Sequence, residues 1–149
     1  MGDQLRERQL TELCHSDHYS VIIDESTDIS VIKELVIYAR YLSASGEVKN
    51  VFSSIVELPN GTADVIKESL VSFLDKSSIS LSCLVGFASD GANVMTGCRN
   101  GVAAQLARRQ PLLTSTHCVA HRLALAASQA GNDVPYASIT FKPTLQQLF

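Results

Sequence analysis

The sequence predicts an α/β protein: a mixed sheet with helices packed against it. Three observations carry this. Two apolar runs, at 19–24 and 84–89, each lead into an aspartate, Asp24 and Asp90, and such runs read as strands buried on both faces. Two segments rich in β-formers, 33–42 and 47–58, flank the short turn Ser43-Ala44-Ser45-Gly46 and read as an antiparallel hairpin. Helical segments then alternate with the later strands, so three strands precede the first crossover helix, the pattern of a mixed sheet.

Taken in order, Leu5, Leu10 and Leu13 sit at loose helical spacing and predict a helix over 3–15. His15-Ser16-Asp17-His18 breaks it before the strand at 19–24. In the hairpin, alternation within 47–58 sets Phe52, Val56 and Leu58 on one face and Val51 and Ile55 on the other. Pro59-Asn60-Gly61 closes the hairpin, and Thr62 is placed to cap a helix over 63–76. Asp64 in the first turn of that helix suits its dipole, and Ile66, Leu70, Phe73 and Leu74 form its apolar stripe. The strand at 84–89 follows. A helix is expected over 100–110, with Val102 and Leu106 inward and Pro111 closing it. A strand at 112–118 and an Ala/Leu-rich helix at 119–130, ended by Gly131-Asn132, complete the order β-β-β-α-β-α-β-α. Residues 1–132 are expected to form one domain, and 133–149 to open a further helical segment cut at Phe149.

At 149 residues and 46% apolar content, the chain can bury a core. No apolar run is long enough to span a membrane, and the charged start lacks the apolar centre of a secretory signal. Four dispersed cysteines, at 14, 83, 98 and 118, point to free thiols in a reducing, intracellular setting. The net charge of −3 hides an asymmetry: residues 1–90 hold 7 basic and 14 acidic side chains, residues 91–149 hold 5 and 1. From Gly91 to Asn132 there are Arg99, Arg108, Arg109 and Arg122 and no acid. Such a stretch suits a phosphate-bearing partner such as DNA, or it is ordinary solvated helix surface.

Asp24 and Asp90 are the candidate chemical residues. Strand-ending aspartates on neighbouring strands would set two carboxylates at one sheet edge, where a divalent cation could bind. The alternative is that each shapes a turn through its own backbone. Glu25 alternates away from Asp24 and reads as solvated or capping, and Asp28 as a loop former. His117, Cys118 and His121 are zinc-ligand types, but no second Cys/His pair lies nearby in sequence. Only Cys14, His15 and His18 could complete a set, so zinc is not expected. Gly86, Gly91, Gly97 and Gly101 fit neither a Walker nor a dinucleotide spacing. Ser89 and Ser115 lack a nucleophile elbow.

Several motifs in order resemble one family. They are Ile23-Asp24-Glu25-Ser26-Thr27-Asp28, Val85-Gly86-Phe87-Ala88-Ser89-Asp90-Gly91-Ala92-Asn93-Val94-Met95-Thr96-Gly97, Arg99-Asn100-Gly101-Val102-Ala103, and His117-Cys118-Val119-Ala120-His121-Arg122-Leu123-Ala124-Leu125. This set is similar to the hAT-type DNA transposases and the zinc-finger-bearing proteins domesticated from them. The resemblance implies a ribonuclease H-like fold with catalytic Asp24 and Asp90 as ligands for Mg²⁺ or Mn²⁺. It also implies DNA strand cleavage and transfer, a nuclear location, and a family Cys-x-x-His motif at Cys118 and His121. The family's third carboxylate is a glutamate far downstream, beyond a helical insertion. After Asp90 this chain has no glutamate and one aspartate, Asp133. The expectation is therefore a transposase-derived domain that is inactive alone. The other class is a non-catalytic module binding DNA or protein.

Overall fold

A computed structural model describes residues 2–27 and 32–132 of the chain. The elements are α1 (Gly2–Cys14), β1 (Tyr19–Thr27), β2 (Lys33–Leu42), β3 (Val48–Leu58), α2 (Ala63–Lys76), β4 (Leu84–Ser89), α3 (Asn93–Thr96), α4 (Val102–Arg109), β5 (Thr114–His117) and α5 (Val119–Asn132), with a 3-10 turn at Leu81–Cys83. The five strands form one sheet in the order β3-β2-β1-β4-β5. The pairs β1–β2 and β2–β3 are antiparallel, while β1–β4 and β4–β5 are parallel. This is the mixed α/β sheet that the order of elements predicts, and it is consistent with a ribonuclease-like fold. The expected opening of a helix beyond residue 143, together with Asp28 and Asp133, lies outside the described residues.

Alternation along the central strands builds the core. Tyr19, Val21 and Ile23 of β1 and Leu35, Ile37, Ala39 and Tyr41 of β2 are all buried. They join one apolar cluster with Leu13 of α1, Ile66, Leu70 and Leu74 of α2, Phe87 of β4, and Val102 and Leu106 of α4. Because α1, α2 and α4 share that cluster, they cover the same face of the sheet. Among the described residues the opposite face is less covered: Tyr38, Phe52 and Ile55 are exposed, and Ile22 and Val36 are only half-buried. The expectation that the apolar strands are buried on both faces is thus corrected. α1 is further tied to the hairpin by Glu12, which accepts from Tyr41 Oη at 3.1 Å and pairs with Lys49 at 2.7 Å. Burial, helped by Glu12, pushes the Tyr41 hydroxyl up to about 12.

Two further expectations change in detail. A bulge in the β2–β3 ladder pairs Ile37 with Ser54 but Tyr38 with Phe52, which leaves Ser53 as the extra residue. The side-chain parity flips there. Val51 points into the core and Phe52 out, whereas beyond the bulge Val56 and Leu58 turn inward and Ile55 outward. Thr62 holds the N-cap position of α2 without capping it, because its hydroxyl donates to Asn60 Oδ1 at 2.7 Å.

Candidate functional site

The paired ladder of β1 and β4 ends at Ile22 opposite Ala88. Asp24 and Asp90 each stand two residues beyond that last pair, so they leave the sheet at equivalent positions on adjacent parallel strands. In open sheets with parallel strands, the space past the carboxyl ends of the strands is where ligands bind. Asp24 is not the last residue of its strand, as the apolar run suggests. β1 continues to Thr27, still paired with β2, and an ion pair between Glu25 and Lys33 secures the extension. Glu25 is therefore ion-paired and half-buried rather than solvated. It lies beside Gly61, ahead of α2, on the face away from Asp24. The Asp24 side chain is 52% exposed on the less covered face.

Asp90 also serves its own turn. Its Oδ1 accepts the Ala92 backbone N–H at 3.2 Å, the Asx geometry that a turn-shaping aspartate adopts. β5 then brings the last of the four motifs alongside. His117 lies opposite Ser89, and the Cys118 N–H donates to the Ser89 carbonyl at 2.7 Å. The His117 ring packs so closely over Gly91 that a Cβ there would stand 2.6 Å from His117 Cε1. Nε2 of His117 is buried with no hydrogen-bond partner among the described residues. In the first turn of α5, His121 Nε2 reaches Asp24 Oδ1 at 3.8 Å.

The charges at this edge are coupled. The Cys118 side chain beside it, then the Asp24 and Asp90 carboxylates, raise His121 above its ordinary value against the opposing effect of burial. His121 in turn pulls the Cys118 thiol down, helped by the N–H groups of His121 and Ala120 at the start of α5. The edge can thus hold a protonated imidazole between two carboxylates and a thiol.

The structure brings together Asp24, Asp90, Cys118 and His121. It separates Cys14, His15 and His18 from them. These precede β1, and six residues of extended chain from His18 to Asp24 span about 20 Å. Cys14 and His15 hydrogen-bond elsewhere, with the Ser78 and Thr11 carbonyls. Among the described residues, no group of three or more His, Cys, Asp or Glu side chains is placed to hold a metal ion. The described side chains therefore do not form a two-ion centre; Asp24 and Asp90 offer Mg²⁺ or Mn²⁺ two carboxylates at most. The arginines divide. Arg108 donates to the Arg99 carbonyl, Arg109 lies against α2 beside Lys67, Glu68 and Asp75, and Arg122 follows His121 on α5. The position of His117 over Gly91 escapes sequence reading, because it depends on the β4–β5 register and not on any local pattern.

The family model described as the ZMYM1/FAM200 RNase-like domain, DUF4371, matches residues 5–101. The chain belongs to this family. The matched span carries Asp24 and Asp90 and stops before Cys118 and His121. Among solved structures, the chain is similar to the diol dehydratase-reactivating factor in its nucleotide-free form, with 19% identity and a TM-score of 0.38. It is also similar to Ciona intestinalis endonuclease V in complex with a 24mer DNA containing an inosine followed by a ribo-adenosine, with 16% identity and a TM-score of 0.40. The first match covers 50% of this chain and 12% of that one; the second covers 78% and 55%.

Proposed function

We propose that this RNase-like domain descends from an hAT-type transposase and does not cut or join DNA by itself. One observation carries the reading: Asp24 and Asp90 sit two residues past the Ile22–Ala88 pair on adjacent parallel strands, where a nuclease of this fold class needs its first two carboxylates. Against activity stands the donor count. The only acid after Asp90 in the sequence is Asp133, and one Asp90 oxygen is already engaged by its turn. Two carboxylates hold Mg²⁺ weakly, because the ion keeps most of its water. A Mn²⁺ titration of the purified chain followed by electron paramagnetic resonance tests this. Weak binding of a single ion, abolished in Asp24→Asn, is expected; two ions bound at micromolar Mn²⁺ would contradict it.

A second reading is favoured by the acid-free stretch with four arginines between Gly91 and Asn132. In it the domain acts as a DNA-holding scaffold, and the carboxylates are relics. Exposed arginines that neutralise phosphates release counterions, so such binding weakens steeply with salt. A gel shift on nicked and hairpin DNA at two salt concentrations separates the readings. The scaffold predicts loss of binding in the double variant Arg108→Glu/Arg109→Glu and unchanged binding in Asp24→Asn. Absence of any shift at low salt eliminates it.

A further inference from the structure

Cys118 stands where the fold makes a thiol nucleophilic. Its carbonyl accepts the Arg122 N–H at 3.0 Å, the opening hydrogen bond of the 14-residue helix α5, so Cys118 is the N-cap of that helix. A side chain at an N-cap faces the free N–H groups of the first turn, and those of Ala120 and His121 donate to the sulfur. The His121 side chain, three residues on, also hydrogen-bonds the thiol. Nε2 of the same ring reaches Asp24 Oδ1 at 3.8 Å, which ties the imidazole to the end of β1. Cys118, His121 and Asp24 therefore follow one another as thiol, imidazole and carboxylate, the order in which a nucleophile is paired with a base and the base is oriented by a third group. Cys118 is half-buried, so its sulfur is not sealed in the core.

The other cysteines are set differently. Cys98 is exposed between α3 and α4, and Cys14 donates to the Ser78 carbonyl. We propose that Cys118 is an oxidation-sensitive thiol, a modification site for hydrogen peroxide. The thiolate sulfur attacks one peroxide oxygen; an S–O bond forms and the O–O bond breaks. The leaving hydroxide takes a proton from solvent and departs as water. Sulfur is oxidised by two electrons to the sulfenic acid, and peroxide is reduced. The donors around the sulfur favour this step because they stabilise the thiolate, which is the attacking form. A tenfold rise in thiolate fraction costs only about threefold in intrinsic nucleophilicity, so the setting raises reactivity on balance. This chemistry needs no metal ion at Asp24 and Asp90.

The test treats the reduced full chain with limiting hydrogen peroxide and dimedone at neutral pH, with EDTA present, and quantifies the dimedone adduct on each cysteine by peptide mass spectrometry. Exposure alone would favour Cys98. The expected result is several-fold more adduct on Cys118 than on Cys98. In His121→Gln the Cys118 adduct is expected to fall several-fold, with the Cys98 adduct and the far-UV circular dichroism unchanged. Labelling of Cys98 equal to or above that of Cys118, no adduct on Cys118, or a Cys118 adduct that His121→Gln leaves unchanged would each overturn the proposal. If His121→Gln does not fold, the ratio of Cys118 to Cys98 adduct in the wild-type chain decides the question alone.

Discussion

His121 is the residue on which the site's electrostatics turn, because it touches Asp24 and is also coupled to Cys118 and Asp90. A histidine with a raised folded-state pKa adds stability that is fully present below its ordinary value of 6.5. That stability is lost as the pH rises through the folded-state value. In urea unfolding, the advantage of the wild-type chain over His121→Gln is therefore expected to shrink as the pH climbs through that midpoint. Following the ring by NMR should show the midpoint fall in Asp24→Asn and fall further in Cys118→Ser, since Cys118 is the larger cause. An unmoved midpoint in both variants would contradict this coupling. A second single-residue constraint lies at Gly101, where a Cβ would stand 2.5 Å from Gly97 N and 2.7 Å from Gly97 O. Those are backbone atoms that cannot swing aside, so Gly101→Ala is expected to cost about 1–3 kcal/mol in urea unfolding. A cost near zero would show that the turn between α3 and α4 yields.

At the scale of elements, packing outweighs charge in holding α1 to the sheet. Leu13 is 1% exposed within the core, whereas Glu12 and Lys49 pair where both side chains are 35% exposed. Leu13→Ala is expected to cost about 2–5 kcal/mol, and Glu12→Gln distinctly less, because the pair is open to solvent, both read from denaturant midpoints. A reversed order would mean that the ion pair anchors the helix. The elements were largely legible because their signals are local. The stripe Ile66, Leu70 and Leu74 defines α2, and the β-rich run at 33–42 coincides with β2. What escaped is set by partners. The bulge at Ser53 depends on how β3 meets β2, and the extension of β1 past Asp24 depends on its ladder with β2. The four-residue helix α3 is too short for any periodicity to announce it.

For the whole molecule, the candidate site was legible as residues and not as geometry. The apolar runs point to Asp24 and Asp90, but their equivalent offset from the Ile22–Ala88 pair exists only once β1 and β4 lie side by side. The approach of His117 and His121 likewise needs β5 as the edge strand beside β4. The resulting edge has two carboxylates, an imidazole and a thiol, and no described third acid to complete a two-ion centre. The central proposal is that this chain by itself does not cut or join DNA. The most direct test incubates the purified full chain with labelled hairpin and nicked DNA in Mg²⁺ or Mn²⁺ and measures strand cleavage and transfer. The account predicts no product above that of Asp24→Asn. Metal-dependent cleavage or joining by the wild-type chain, lost in Asp24→Asn, would contradict it.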